Sequence, residues 1–162
     1  MDRPFVRENS AERTRLRNLI ASITDEQLRL PLPNGWPIYV ALAHLAFWDQ
    51  RSTVLVKKWT KDGIVPSPID VHVVNDALVP FFMALAPREA ADLALSSAEA
   101  IDSQLQEAPD DLIAGLMALG DKFRLFRSDH LSLVPLRSSE SSSGQDRRRS
   151  KGVRKDHKRA TV

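Results

Sequence analysis

The sequence predicts an all-α protein: an antiparallel four-helix bundle followed by a disordered C-terminal tail. Three observations carry this. Pro, Gly and Asn gather mostly at punctuation points, namely Pro31-Leu-Pro33-Asn34-Gly35, Gly63, Pro66-Ser-Pro68, Pro87 and Pro109. The segments between them are rich in Ala and Leu, carry few β-branched residues and lack the period-two alternation of strands. Beyond Leu136 the chain loses nearly all its apolar residues. At 162 residues, 43% of them hydrophobic, the chain is long enough to bury one core without covalent staples.

Each element has its own signal. A first helix is expected from a Ser10 or Asn9 cap to about Ser22, with Leu16, Leu19, Ile20 and Ile23 on the helical period. Thr24-Asp25-Glu26 caps a short turn that carries Leu28. A second long helix has Pro37 in its first turn and stops before Gly63. A third runs from an Asp70 cap to about Ala86, with a kink at Pro80. A fourth starts at Pro87 and runs to Gln106. A last helix runs from Asp110 toward Val134, where Pro135 stops it.

Charge divides the chain at the same place as hydropathy. The net charge is +2, yet residues 137–162 hold nine Arg and Lys against three acids, a net +6 that leaves −4 for residues 1–136. The domain boundary is therefore placed at 136, with a basic, Ser/Arg-rich tail over 137–162 that has too little apolar surface to offset the entropy of ordering. The change of character past Leu131 suggests that a shift of coding frame produced the tail. Its charge suits phosphates, but no aromatic residues interleave it for base stacking, so nucleic acid is an unlikely partner.

Several function classes are excluded outright. With no Cys there is no disulfide, thiolate metal site or cysteine nucleophile. No Gly-x-Ser-x-Gly elbow is present. Gly115 to Lys122 imitates a phosphate loop, but its Lys is one place late and no strand precedes it, so Leu112, Leu116 and Leu119 mark it as a core helix. No apolar run is long enough to span a bilayer, and the N-terminus lacks the apolar stretch of a signal peptide, so a cytoplasmic protein without a membrane partner is expected.

The informative stretch is residues 34–51, NGWPIYVALAHLAFWDQR. A Trp precedes a helix, and Val40, His44 and Phe47 share one of its faces, with Arg51 one turn on. His44 therefore points along an apolar stripe, either as a buried helix histidine bonded to a neighbour or as a ligand. His72 and Asp76 stand at i and i+4 and form a second, lesser pair. Trp36, Trp48 and Trp59 suit helix packing or, for Trp48 above all, pocket lining.

This stretch resembles the DinB-like superfamily, and more closely the branch that contains the N-terminal domain of mycothiol-dependent maleylpyruvate isomerase. Asn75-Asp76-Ala77 and Pro87-Arg-Glu-Ala-Ala91 add weaker likeness, and the resemblance covers residues 8–131. It implies a four-helix bundle in which His44 is one of three ligands to a divalent metal, zinc or nickel. The other two ligands are implied one turn apart on the last long helix. There His130 supplies one, while Phe126, four residues earlier, and Val134, four later, cannot ligate. Asp129, Asp49 and Asp76 are the candidate third ligands, and Trp48 and Phe126 the candidate pocket walls. The resemblance further implies a transferase or isomerase acting on a small-molecule substrate with a low-molecular-weight thiol, which this Cys-free chain must take from a cosubstrate. It also implies a homodimer. The competing expectation is a non-catalytic bundle that has lost the metal and serves in binding or dimerisation.

Overall fold

Pro4 lacks the N–H that a first helical residue leaves unpaired anyway, and it opens α1 (Pro4–Ser22). The helix thus starts earlier than an Asn9 or Ser10 cap would place it. Asn9 is buried in its interior instead. Arg3 takes the place of a capping side chain at this end of the molecule. Its guanidinium donates to the carbonyls of Leu105, Gln106 and Ala108 and to the Asp110 carboxylate. Residues 3–120 are described by the computed structural model of the chain. The Ser/Arg-rich tail and the stretch holding Phe126, Asp129 and His130 lie outside these residues.

Thr24 caps α2 (Asp25–Leu28) in a reciprocal box, its hydroxyl accepting from Gln27 N–H while the Gln27 side chain accepts from Thr24 N–H. The long α3 (Ile38–Asp62) follows, with Pro37 as its N-cap, and ends at Gly63, whose φ of 79° only glycine adopts at little cost. Asp70 caps α4 (Val71–Met83) by accepting from the N–H groups of His72 and Val73. α4 passes through Pro80 and closes at Ala84, short of the expected Ala86. Pro87 opens α5 (Pro87–Glu107), and Asp110 opens α6 (Asp110–Ala118). Leu119 caps α6 and Gly120 takes a φ of 54°, so within the described residues the last helix is one short element. Its expected extension toward Val134 lies beyond them. No strand occurs among the described residues, only an isolated bridge between Pro31 and Pro37.

The helical bundle is thus present, and its chain direction follows from its contacts. Ion pairs Arg13–Asp102 and Arg17–Glu99 set α1 antiparallel to α5. Arg88 fixes the other end, donating to the carbonyls of Ile20 and Ile23 and to the Asp25 carboxylate. α3 and α5 run parallel: Val40 and Ala43 share a core cluster with Ala90, Ala91 and Ala94, while Val56 and Trp59 share another with Ile101 and Leu105. Two parallel neighbours need a crossover, and residues 63–70 with α4 provide it. Trp59 Nε1 donates to the Val65 carbonyl, Arg51 to Ser67, Trp48 Nε1 to Asn75 and the Tyr39 hydroxyl to the Met83 carbonyl. These contacts trace a return path along α3 from its end to its start. Gly115, in the interior of α6, belongs to helix packing: a Cβ there would come within 2.5 Å of Ile64 Cδ1, on the crossover.

Candidate functional site

The site begins with a turn. Leu32 N–H donates to the Trp36 carbonyl, Gly35 N–H to the Leu32 carbonyl, and Trp36 N–H to the Asn34 side chain. Gly35 has φ 85°, a left-handed conformation that a side chain would strain. This tight loop brings Trp36 back over the first turns of α3. The Trp36 and His44 ring centroids lie 5.3 Å apart in an edge-to-face arrangement.

His44 is buried in the second turn of α3, as the apolar spacing around it predicts. Two further rings close on it. Trp48, one turn along the same helix, has its ring 6.1 Å away, and Phe82 of α4 lies at 6.4 Å. Phe47 packs edge-to-face on Trp48 at 5.2 Å and reaches Phe82 at 6.5 Å. Trp48 is held by its indole N–H, which donates to Asn75 Oδ1 at 3.2 Å, and by the Arg51 guanidinium 5.8 Å from its ring centroid. The imidazole is thus mounted on the longest of the described helices and walled by aromatic rings from a loop, from its own helix and from the crossover helix.

The structure brings together His44 and Trp48 of the residues singled out from sequence. Asp49 is also buried, but it stands five residues beyond His44, about 140° around the helix. The Thr53 hydroxyl donates to its backbone carbonyl. Asp76 and His72 are exposed on α4, and the residues of that helix that reach the site are Asn75, bonded to Trp48, and Phe82, against His44. Phe126, Asp129 and His130 lie outside the described residues. Among the described residues no three His, Asp or Glu side chains gather closely enough to hold a metal ion. Of the two expected histidine ligands, His44 is the one that lies within the described residues.

Sequence reasoning placed Trp36 low as a pocket residue and did not single out Phe82. Both reach His44 through tertiary folding, one by a loop and one by the crossover. Arg51 was legible as a member of the stripe, but its contacts to Ser67 were not. Burial lowers the pKa of the Arg51 guanidinium from its ordinary value, though an arginine so placed stays charged.

No described helix is long and apolar enough to cross a membrane. No curated protein and no solved structure gives a significant match to this chain. The family model of the DinB superfamily matches residues 8–130, a span that runs from α1 through the aromatic site to the end of α6 and beyond. The chain belongs to the DinB superfamily.

Proposed function

We propose that this chain is a divalent-metal-binding protein of its superfamily, with His44 and His130 as ligands to zinc or nickel. Asp129 is the favoured third ligand, because Asp76 is exposed and Asp49 faces away from His44. The observation that carries this is the placing of His44: a buried imidazole on a helix, with the rings of Trp36, Trp48 and Phe82 packed around it. Neutral imidazole suits both metals, and a rigid mounting keeps a ligand in place. A metal bound there supplies a thiolate or hydroxide at neutral pH. The finer activity proposed is a thiol-using transfer or isomerisation on a small substrate, the thiol arriving as a cosubstrate and Trp48 and Phe126 bounding the pocket. The test is metal content of the untagged protein after incubation with zinc or nickel. About one equivalent is expected, lost in His44→Ala and in His130→Ala. Equal metal in all three proteins overturns the assignment.

A second reading has its own observation. Phe81, Met83 and Leu93 expose apolar surface. An open groove of about 440 Å³ lies nearby, lined by Phe47, Phe82, Leu85 and Leu93. A non-catalytic bundle that pairs with a second copy through this surface accounts for the exposed apolar side chains and the groove. Light scattering of the purified chain separates the cases, since a monomer at all concentrations excludes pairing.

A further inference from the structure

Beyond Trp48, on the side away from His44, the crossover stands off α3 and leaves a cavity of about 580 Å³. One wall is α3, through Arg51, Leu55 and Trp59. The other is residues 64–69 of the crossover, and Leu119 reaches it from the end of α6. The volume falls in the range that takes a drug-sized ligand. Two tethers hold the crossover wall in place: Trp59 Nε1 donates to the Val65 carbonyl at 3.0 Å, and Arg51 Nη2 donates to the carbonyl and hydroxyl of Ser67, each at 3.1 Å. Pro66 and Pro68 stiffen the stretch between them. A cavity whose walls are fixed in this way is preorganised for a ligand.

Its lining is apolar apart from Arg51 and Ser67. Arg51 is half-buried, and among the described residues no carboxylate pairs with it; Arg7 and Arg29, which also have no ion pair there, are exposed to solvent, whereas Arg3, Arg13, Arg15, Arg17 and Arg88 each have an acidic partner. Its contacts among these residues are the Trp48 ring and Ser67, both neutral, and the hydrogen bonds use one terminal nitrogen. A guanidinium has five N–H donors in a planar fork that matches a carboxylate. A partly desolvated cation at the mouth of an apolar cavity is complementary to an anionic head on an apolar body.

We propose that this cavity binds a small monocarboxylate with an apolar chain or ring, the carboxylate received by Arg51 and the apolar body packed against Leu55, Trp59, Ile64 and Leu119. The site depends on no metal and stands apart from the reading of His44.

The probe is decanoate, with decanol as its uncharged counterpart, titrated into the full-length protein by calorimetry. Saturable binding of about one decanoate is expected, with decanol binding about tenfold or more weakly, the loss that a missing charge-assisted hydrogen bond brings. Arg51→Gln should weaken decanoate by a similar factor and leave decanol unchanged. Absence of saturable decanoate binding overturns the proposal, as does equal affinity for decanoate and decanol. These two outcomes are read on the wild-type protein, so they hold even if the Arg51 variant does not fold. Unchanged decanoate affinity in a folded Arg51→Gln protein also overturns it.

Discussion

Gly35 shows how much of the site hangs on one backbone angle. At φ 85° it closes the turn that folds Trp36 onto His44. Nothing within 4 Å of its missing Cβ would clash, so the cost of a side chain there is conformational. Gly35→Ala should destabilise the fold by about 1–2 kcal/mol, measured by urea denaturation. Asp110 gives a second prediction. The Arg3 guanidinium bonded to it holds its carboxylate pKa below the ordinary value. Its contribution to stability is therefore present above the unfolded pKa, about 3.9, and is lost as pH falls through the lower folded value. Asp110→Asn should be less stable than wild type at neutral pH, and the difference in denaturation midpoint should close in strong acid. Much at this scale was legible in sequence. The burial of His44 followed from its spacing to Val40 and Phe47, and the capping roles of Thr24 and Asp70 from their place before apolar runs. The approach of Trp36, Phe82 and Asn75 was not legible, because each comes from a different segment and no local period encodes it.

Among the elements, α5 depends on small residues. Ala90, Ala91, Ala94 and Ala98 are 0–1% exposed and let α5 approach α3 closely. Ala94→Leu should cost about 1–3 kcal/mol through overpacking, again read from denaturation. Ile113, fully buried in α6, should cost about 2–5 kcal/mol when cut to Ala. Most helix boundaries lay close to where Pro, Gly and capping residues put them. Two moved for physical reasons. α1 extends back to Pro4 because Phe5 is buried against α5 and α6 and Arg3 gathers the carbonyls at the end of α5. α4 stops at Met83 because the chain must turn there to start α5 at Pro87, where Arg88 binds the end of α1. Both depend on residues distant in sequence, which propensity cannot see.

At the scale of the whole molecule, the parallel setting of α3 and α5 organises everything else. It forces a crossover, and that crossover supplies both Phe82 beside His44 and the wall of the cavity beside Arg51. A bundle was legible from the pattern of apolar segments. The alternating direction of successive helices was legible too, but the side-by-side setting of α3 and α5 was not, since Pro66 and Pro68 mark a loop without saying where it leads. The central claim, that His44 is the functional imidazole of this fold, is tested most directly by nuclear magnetic resonance of the histidine rings during a zinc titration of the full chain. The chain has four histidines, His44, His72, His130 and His157, and His72 stands exposed on α4. The ring signals of His44 and His130 should shift together and saturate at about one equivalent of zinc. Shifts at His72 or His157 with His44 unmoved would contradict the claim.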